Sequence, residues 1–150
     1  MKIGFDIGGV ISKYPQEFKN LVSIFFWYTQ EFYATGHVIP DIYIITDQHP
    51  KEEVLKILQE NGFGFYFEAK NVYCADYEKY GNMAKAILIK ELGIQIFIDD
   101  FDGYLQWDSS LGLQPLLLKV QPDWYKPYWH EEWKVEGSDF GRRKASLPKE

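Results

Sequence analysis

The chain has 150 residues, of which 46% are hydrophobic and 25% are charged, the balance of a globular protein. Its length corresponds to one domain, and 16 Lys and Arg against 22 Asp and Glu give a net charge of −6. This composition excludes intrinsic disorder of the whole chain, and it argues against a nucleic-acid partner held by a general basic field. A small phosphorylated ligand needs only local positive charge and stays compatible with it.

The single cysteine, Cys74, excludes an internal disulfide and a multi-cysteine zinc site, and it fits a reducing compartment. The first apolar run stops at Asp6, which is too short for a secretory signal. The longest apolar run, residues 21–28, is far below the ~18 residues of a membrane span. We therefore expect a cytoplasmic protein without a membrane partner.

Strands and helices are predicted to alternate along most of the chain. Apolar runs, helical periodicity, and the Pro and Gly residues at their ends mark the elements. In chain order we predict strand 2–6, helix 16–34, strand 42–46, helix 50–61, a short strand or hairpin arm at 65–67, strand 71–74, helix 79–92, strand 94–98 and strand 116–120.

This alternation predicts an α/β fold, a three-layer Rossmann-like arrangement around a mostly parallel five-stranded sheet. In such sheets the ligand site lies outside the carboxyl ends of the strands. Three predicted strands end in polar residues, Asp6, Thr46 and the pair Asp99-Asp100. Since strand ends converge in space, we expect these side chains to lie together.

The domain is predicted to span residues 1–122, because the character of the sequence changes after the last strand. Residues 123–133 contain three Trp and two Tyr and are expected to form an aromatic arm. The remainder of 123–150 is polar and is expected to be a mobile tail.

Four sequence features carry chemistry, although each alone has an ordinary structural explanation. Asp6 is followed by Gly8-Gly9, which lets a ligand approach closely, but Asp6 could equally cap the turn. Thr46 could bind a phosphate oxygen or simply be a strand residue, and Lys85 could be a solvated helix residue. The acidic cluster Asp99, Asp100 and Asp102 is costly without a cation, and carboxylate oxygens are ligands that Mg²⁺ prefers.

In this order, the four features resemble the motifs of the haloacid dehalogenase-like (HAD) superfamily of phosphohydrolases. The resemblance covers residues 2–120 and rests on an apolar strand with Asp6, a strand ending in Thr46, a helix Lys, and a strand ending in Asp99-Asp100. It implies an HAD-like fold and a Mg²⁺-dependent phosphatase of the minimal, uncapped type.

The resemblance also implies a role for each matching residue. Asp6 would be the nucleophile that forms an aspartyl-phosphate, and Thr46 would hydrogen-bond the phosphoryl oxygens. Lys85 would offset the negative charge of the carboxylate and the phosphate.

The implied metal ligands are Asp6, the backbone carbonyl of Gly8, and Asp99 with Asp100 in support. Lys79 competes with Lys85 for the role of the helix lysine, and spacing favours Lys85.

Position 8 departs from the family pattern, because most family phosphatases carry a second Asp there that moves protons. Its loss costs about 10²–10⁴-fold in rate where nothing replaces it. Some branches nevertheless carry Asp-x-Gly-x-Val, which matches Asp6-Ile7-Gly8-Gly9-Val10. Asp47 and His49 lie near the predicted site, and proton transfer by either is a less favoured alternative.

The sequence leaves no room for an inserted cap domain, so the site is expected to be open. The substrate is then large, or an oligomer partner or the aromatic arm covers it; packing of the arm on the sheet is favoured over covering the site.

The function expected first is hydrolysis of a phosphomonoester, for which a nucleotide is one candidate. The alternative is a non-catalytic HAD-like module that binds a phosphorylated ligand or a protein. A receiver-like phosphoacceptor uses the same residue types in a different order and ranks last.

Overall fold

The computed structural model of the protein describes residues 1–32, 41–48 and 50–120. Within them lie five strands and four α-helices. The strands are β1 (Lys2–Phe5), β2 (Asp41–Thr46), β3 (Val72–Cys74), β4 (Ile96–Asp99) and β5 (Leu116–Lys119). The helices are α1 (Pro15–Phe32), α2 (Lys51–Glu60), α3 (Tyr77–Tyr80) and α4 (Ala84–Leu92). Among the described helices, none has the length and apolar character needed to span a membrane.

The five strands form one sheet in the order β3-β2-β1-β4-β5, and every neighbouring pair is parallel. This confirms the predicted α/β fold. The strand order reverses between β1 and β4, because the chain builds outward to β3 and then returns to the other side of β1. Ligands of such sheets bind in the crevice at this reversal, outside the carboxyl ends of the strands.

Successive strand residues point to opposite faces of the sheet, and each face is covered by helices. One apolar cluster joins α1 and α2 to strand residues Ile3, Phe5, Ile42, Ile44 and Val72. The other joins α4 to strand residues Ile45 and Phe97. Gly4 belongs to this second face, where an added Cβ would lie only 3.1 Å from the Phe97 ring. The side chains of Ile45 on β2 and Phe97 on β4 therefore point to the face of the sheet that α4 covers.

Two predicted elements differ from the structure. The predicted helix 79–92 is broken into α3, a 3₁₀ turn at Gly81–Met83, and α4. Gly81 adopts φ 56 and ψ −139, a backbone conformation that a continuous helix does not contain. The short strand or hairpin arm expected at 65–67 is a turn, in which the Tyr66 and Phe67 amides donate to the Phe63 carbonyl. The predicted domain end at 122 and the aromatic arm at 123–150 lie outside the described residues.

Candidate active site

Asp6 and Asp99 lie side by side at the reversal of strand order. Asp6 directly follows β1, and its backbone amide donates to the Ile98 carbonyl of β4 at 2.9 Å. Asp99 is the last residue of β4. Phe5 pairs with Ile98 in the parallel register, so the two aspartates leave the sheet at the same level. Both side chains are fully buried. Two buried carboxylates therefore share the crevice in which ligands of this fold class bind.

Lys85, in the first turn of α4, lies between these two carboxylates. Its Nζ is 2.9 Å from Asp6 Oδ1 and 2.6 Å from Asp99 Oδ2, and all three side chains are fully buried. Asp99 is fixed further, because its Oδ1 accepts a 2.9 Å hydrogen bond from the Phe101 amide. A buried charge is tolerated only where a partner compensates it. The lysine therefore holds both carboxylates in place and neutralises one of their two charges.

Asp100 adds a third carboxylate to this group. One oxygen from each of Asp6, Asp99 and Asp100 lies within 4.8 Å of the others. Three carboxylates and one ammonium leave two negative charges for a ligand to compensate. Oxygen donors in this number suit a hard divalent cation such as Mg²⁺ or Ca²⁺. Asp102 is not part of the group, because its exposed carboxylate pairs with Lys119 at 2.8 Å.

The segment after Asp6 is a tight turn with two distinct glycines. Gly8 has φ −64 and ψ 127, and Gly9 has φ 69 and ψ −8, which are the angles of a type II turn. The Gly9 amide donates to Ser12 Oγ at 3.0 Å. An added Cβ on Gly9 would overlap the Asp100 carboxylate, so this glycine is needed for both its conformation and the close approach. The backbone conformation of Gly8 does not require glycine, since any L-residue adopts its angles.

Thr46 ends β2, on the other side of β1 from Asp99, and is fully buried. Its carbonyl accepts from the Ala75 amide at 2.6 Å, which anchors the strand end. Its Oγ1 accepts a 3.3 Å hydrogen bond from the Gln48 amide. A hydroxyl that accepts one hydrogen bond still has a hydrogen to donate, as a phosphoryl oxygen would require.

Tyr104 is a site residue that the sequence did not reveal. It belongs to a 3₁₀ turn, Asp102–Tyr104, that follows β4, and it is 3% exposed. Lys85 Nζ lies 4.3 Å from the centre of its ring, within the range of a cation–π contact. Its hydroxyl donates to Asp47 Oδ2 at 2.9 Å. The only hint in the sequence is an aromatic residue shortly after an acidic strand end, which is too common to single out a contact with α4.

The other candidates are placed as follows. Lys79 is exposed in α3, with its Nζ over the Tyr80 ring at 4.7 Å, so Lys85 is the lysine that reaches the carboxylates. Asp47 follows β2 at the same end of the sheet as Asp6 and is partly buried. His49 lies outside the described residues.

The comparisons with protein-family models, with curated proteins and with solved structures find no match, so the function has to be inferred from the residues of this chain.

Proposed function

We propose that the protein is a Mg²⁺-dependent phosphomonoester hydrolase that uses Asp6 as its nucleophile. The observation that carries this proposal is the position of Lys85, whose Nζ lies 2.9 Å from Asp6 and 2.6 Å from Asp99. A lysine on the surface would be weak support for an active site, but Lys85 is buried where the ends of β1 and β4 meet. The resemblance of the four motifs to HAD phosphohydrolases supports the same reading.

The arrangement reduces the charge repulsion that opposes the reaction. A carboxylate can attack a phosphate monoester only if the repulsion between their negative charges is offset. Lys85 supplies one fixed positive charge next to Asp6. Its buried position makes that charge more effective than it would be in water. Thr46 supplies a hydroxyl at the neighbouring strand end, where it can orient a phosphoryl oxygen.

The residues present fit a divalent cation. Asp6, Asp99 and Asp100 bring carboxylate oxygens within 4.8 Å of one another, and the net charge of the cluster with Lys85 matches a 2+ ion. The Gly8 carbonyl, in the turn directly after Asp6, is the further ligand that the family resemblance implies. When bound, Mg²⁺ would neutralise charge on the phosphoryl oxygens and orient them toward Asp6.

The proposed reaction has two steps. In the first, an Asp6 oxygen forms a bond to phosphorus while the bond from phosphorus to the leaving-group oxygen breaks, and that oxygen gains a proton. In the second, water attacks the aspartyl-phosphate, loses a proton, and releases inorganic phosphate with Asp6 regenerated. The substrate class is a phosphorylated small molecule in the cytoplasm, and a mononucleotide is one candidate.

Gly8 favours a second candidate, a non-catalytic module that binds a phosphorylated ligand or a protein. Such a protein would keep the three carboxylates and Lys85 as a binding site and turn over nothing. The two candidates differ in one observable property, which is phosphate release.

The test is phosphate release from a panel of phosphomonoesters, with and without Mg²⁺, by the wild type, Asp6→Asn and Gly8→Asp. Asp108→Asn removes a surface carboxylate outside the group and serves as the matched control. The hydrolase predicts Mg²⁺-dependent release that Asp6→Asn abolishes and Asp108→Asn retains. Release by Gly8→Asp alone supports the binding module, and no release by any variant contradicts the hydrolase.

A further inference from the structure

Both steps of the proposed reaction move a proton, and the residue at position 8 has no side chain to move it. A carboxylate near Asp6 that belongs to neither the ion pairs of Lys85 nor the group of three acids would serve this purpose. Asp47, directly after the strand next to β1, is the described residue that meets this condition.

The strand register places Asp47 two residues beyond the level of the nucleophile, at the end of the adjacent strand. Phe5 pairs with Ile44, so Asp6 is level with Ile45, and Asp47 follows two residues later, directly after the end of the neighbouring strand. Parallel strands lie about 4.8 Å apart. Gly8 and Asp47 are therefore each the third residue after the paired positions Phe5 and Ile44 of the two neighbouring strands.

Extending the side-chain alternation of β2 by one residue gives Asp47 the same direction as Asp6 and Asp99. Ile45 packs on the α4 face, and Asp47 lies two residues further along. Phe97 and Asp99 are related in the same way on β4. The contact between Asp47 and Tyr104, which itself covers Lys85, agrees with this direction.

Tyr104 connects Asp47 to the catalytic lysine. Its hydroxyl holds Asp47 Oδ2 at 2.9 Å, and its ring lies 4.3 Å from Lys85 Nζ. Because Tyr104 is buried, neither contact depends on a freely rotating surface side chain. One aromatic residue thus fixes the distance between a carboxylate at the end of β2 and the ammonium on α4.

We propose that Asp47 transfers the protons that the missing acid at position 8 would transfer, and that Tyr104 is the positioning residue that aims it. This inference rests on the proposed hydrolase. In the first step the Asp47 carboxyl gives its proton to the leaving-group oxygen as the bond to phosphorus breaks. In the second step the Asp47 carboxylate takes a proton from the attacking water, which restores the starting state.

The decisive variant is Asp47→Asn, assayed on an alkyl phosphate and on p-nitrophenyl phosphate. We expect kcat on the alkyl phosphate to fall by about 10²–10⁴-fold. Nitrophenolate leaves without being protonated, so with p-nitrophenyl phosphate the first step stays fast and the second becomes slow. The variant should therefore release a burst of one nitrophenolate per active site before slow turnover, which a merely structural role of Asp47 would not produce.

Gly8→Asp supplies the rescue. An aspartate is compatible with the backbone angles at position 8, φ −64 and ψ 127. We expect the double variant Asp47→Asn/Gly8→Asp to recover most of the lost kcat and to lose the burst. Tyr104→Phe keeps the ring over Lys85 and removes the hydroxyl that donates to Asp47, so it should lower kcat with little change in KM.

Asp41→Asn is the matched control, because Asp41 is exposed at the opposite end of the same strand. It should retain wild-type kcat and thermal stability. Wild-type kcat in Asp47→Asn, or a loss that Gly8→Asp does not repair, would overturn the role of Asp47 while leaving the hydrolase intact. If the wild type releases no phosphate, or if Asp6→Asn leaves its release unchanged, the hydrolase is overturned instead, and this inference with it.

Discussion

Lys85 Nζ lies 2.6 Å from Asp99 Oδ2, and neither side chain is exposed. The same ammonium is 2.9 Å from Asp6 Oδ1. A buried ion pair of this kind adds little net stability over an apolar pair, but breaking it leaves a buried charge without compensation. Loss of the Lys85 ammonium should therefore lower the stability of the fold and also change the charge of the proposed site.

Replacing Lys85 by an apolar residue of similar size should destabilise the protein, although the packing volume is kept. We expect Lys85→Met to lower the free energy of unfolding by about 3–5 kcal/mol, because Asp6 and Asp99 then face each other uncompensated. Urea denaturation without divalent cations measures this. Lys90→Met, an exposed position on the same helix, should change stability by less than about 0.5 kcal/mol.

The cause of that loss is tested by a second substitution. Lys85→Met/Asp6→Asn removes one of the two carboxylates, so it should be more stable than Lys85→Met alone. If both proteins unfold at the same urea concentration, charge repulsion is not the source of the destabilisation.

A divalent cation should stabilise the folded chain through the three carboxylates. At a Mg²⁺ concentration of 100 times its Kd, binding to the native state alone adds about 2.7 kcal/mol, which raises Tm. Asp100→Asn should reduce this Mg²⁺-dependent rise, whereas Asp76→Asn, outside the group, should preserve it. An equal rise in Asp100→Asn and the wild type would show that the cation binds elsewhere.

Two glycines with nearly equal φ angles allow the effect of backbone strain to be distinguished from the effect of a contact at the site. Gly9 has φ 69 and Gly93 has φ 68, but only a Cβ on Gly9 would meet Asp100, and one on Gly93 would meet nothing within 4 Å. Gly93→Ala should lower stability by about 1–2 kcal/mol from strain alone. Gly9→Ala should lower it further and also weaken Mg²⁺ binding, which calorimetric titration measures. Equal Mg²⁺ affinity in both variants would contradict the role of the Gly9 turn in placing Asp100.

The half-buried thiol of Cys74, at the end of β3, should react slowly. Burial, opposed by the nearby Lys51 ammonium, raises the pKa of Cys74 from 9.0 to about 11. A pKa two units higher means about 100-fold less thiolate at neutral pH, and the thiolate is the reactive species. The rate of alkylation by iodoacetamide should keep rising tenfold per pH unit through pH 9.5. A plateau near pH 9, as expected for the chain unfolded in urea, would contradict this environment.

The sheet could be predicted from the sequence because its signals are local. Each strand is a continuous apolar run, as expected where helices cover both faces, and the polar residues Asp6, Thr46 and Asp99 mark three carboxyl ends. Spacing and the family resemblance predict Lys85 as the site lysine. The structure agrees, because the break in the helix leaves Lys79 exposed on α3.

The remaining features depend on contacts between distant residues. Gly81 interrupts the helix because the chain must turn before α4, and the apolar periodicity on both sides conceals that break. Tyr104 meets Asp47 across 57 residues of sequence, so no local pattern predicts the hydrogen bond. The overlap between Asp100 and any side chain at position 9 likewise appears only once the two loops are folded against each other.

The central claim is that Asp6 becomes phosphorylated during turnover. The most direct measurement is intact-protein and peptide mass analysis after acid quenching of a single turnover with p-nitrophenyl phosphate and Mg²⁺. We predict an added phosphoryl group on the peptide that contains Asp6, its absence in Asp6→Asn, and its accumulation in Asp47→Asn. A wild type that releases phosphate with no acyl-phosphate on Asp6 at any quench time, or that carries the group on another residue, would contradict the proposed mechanism.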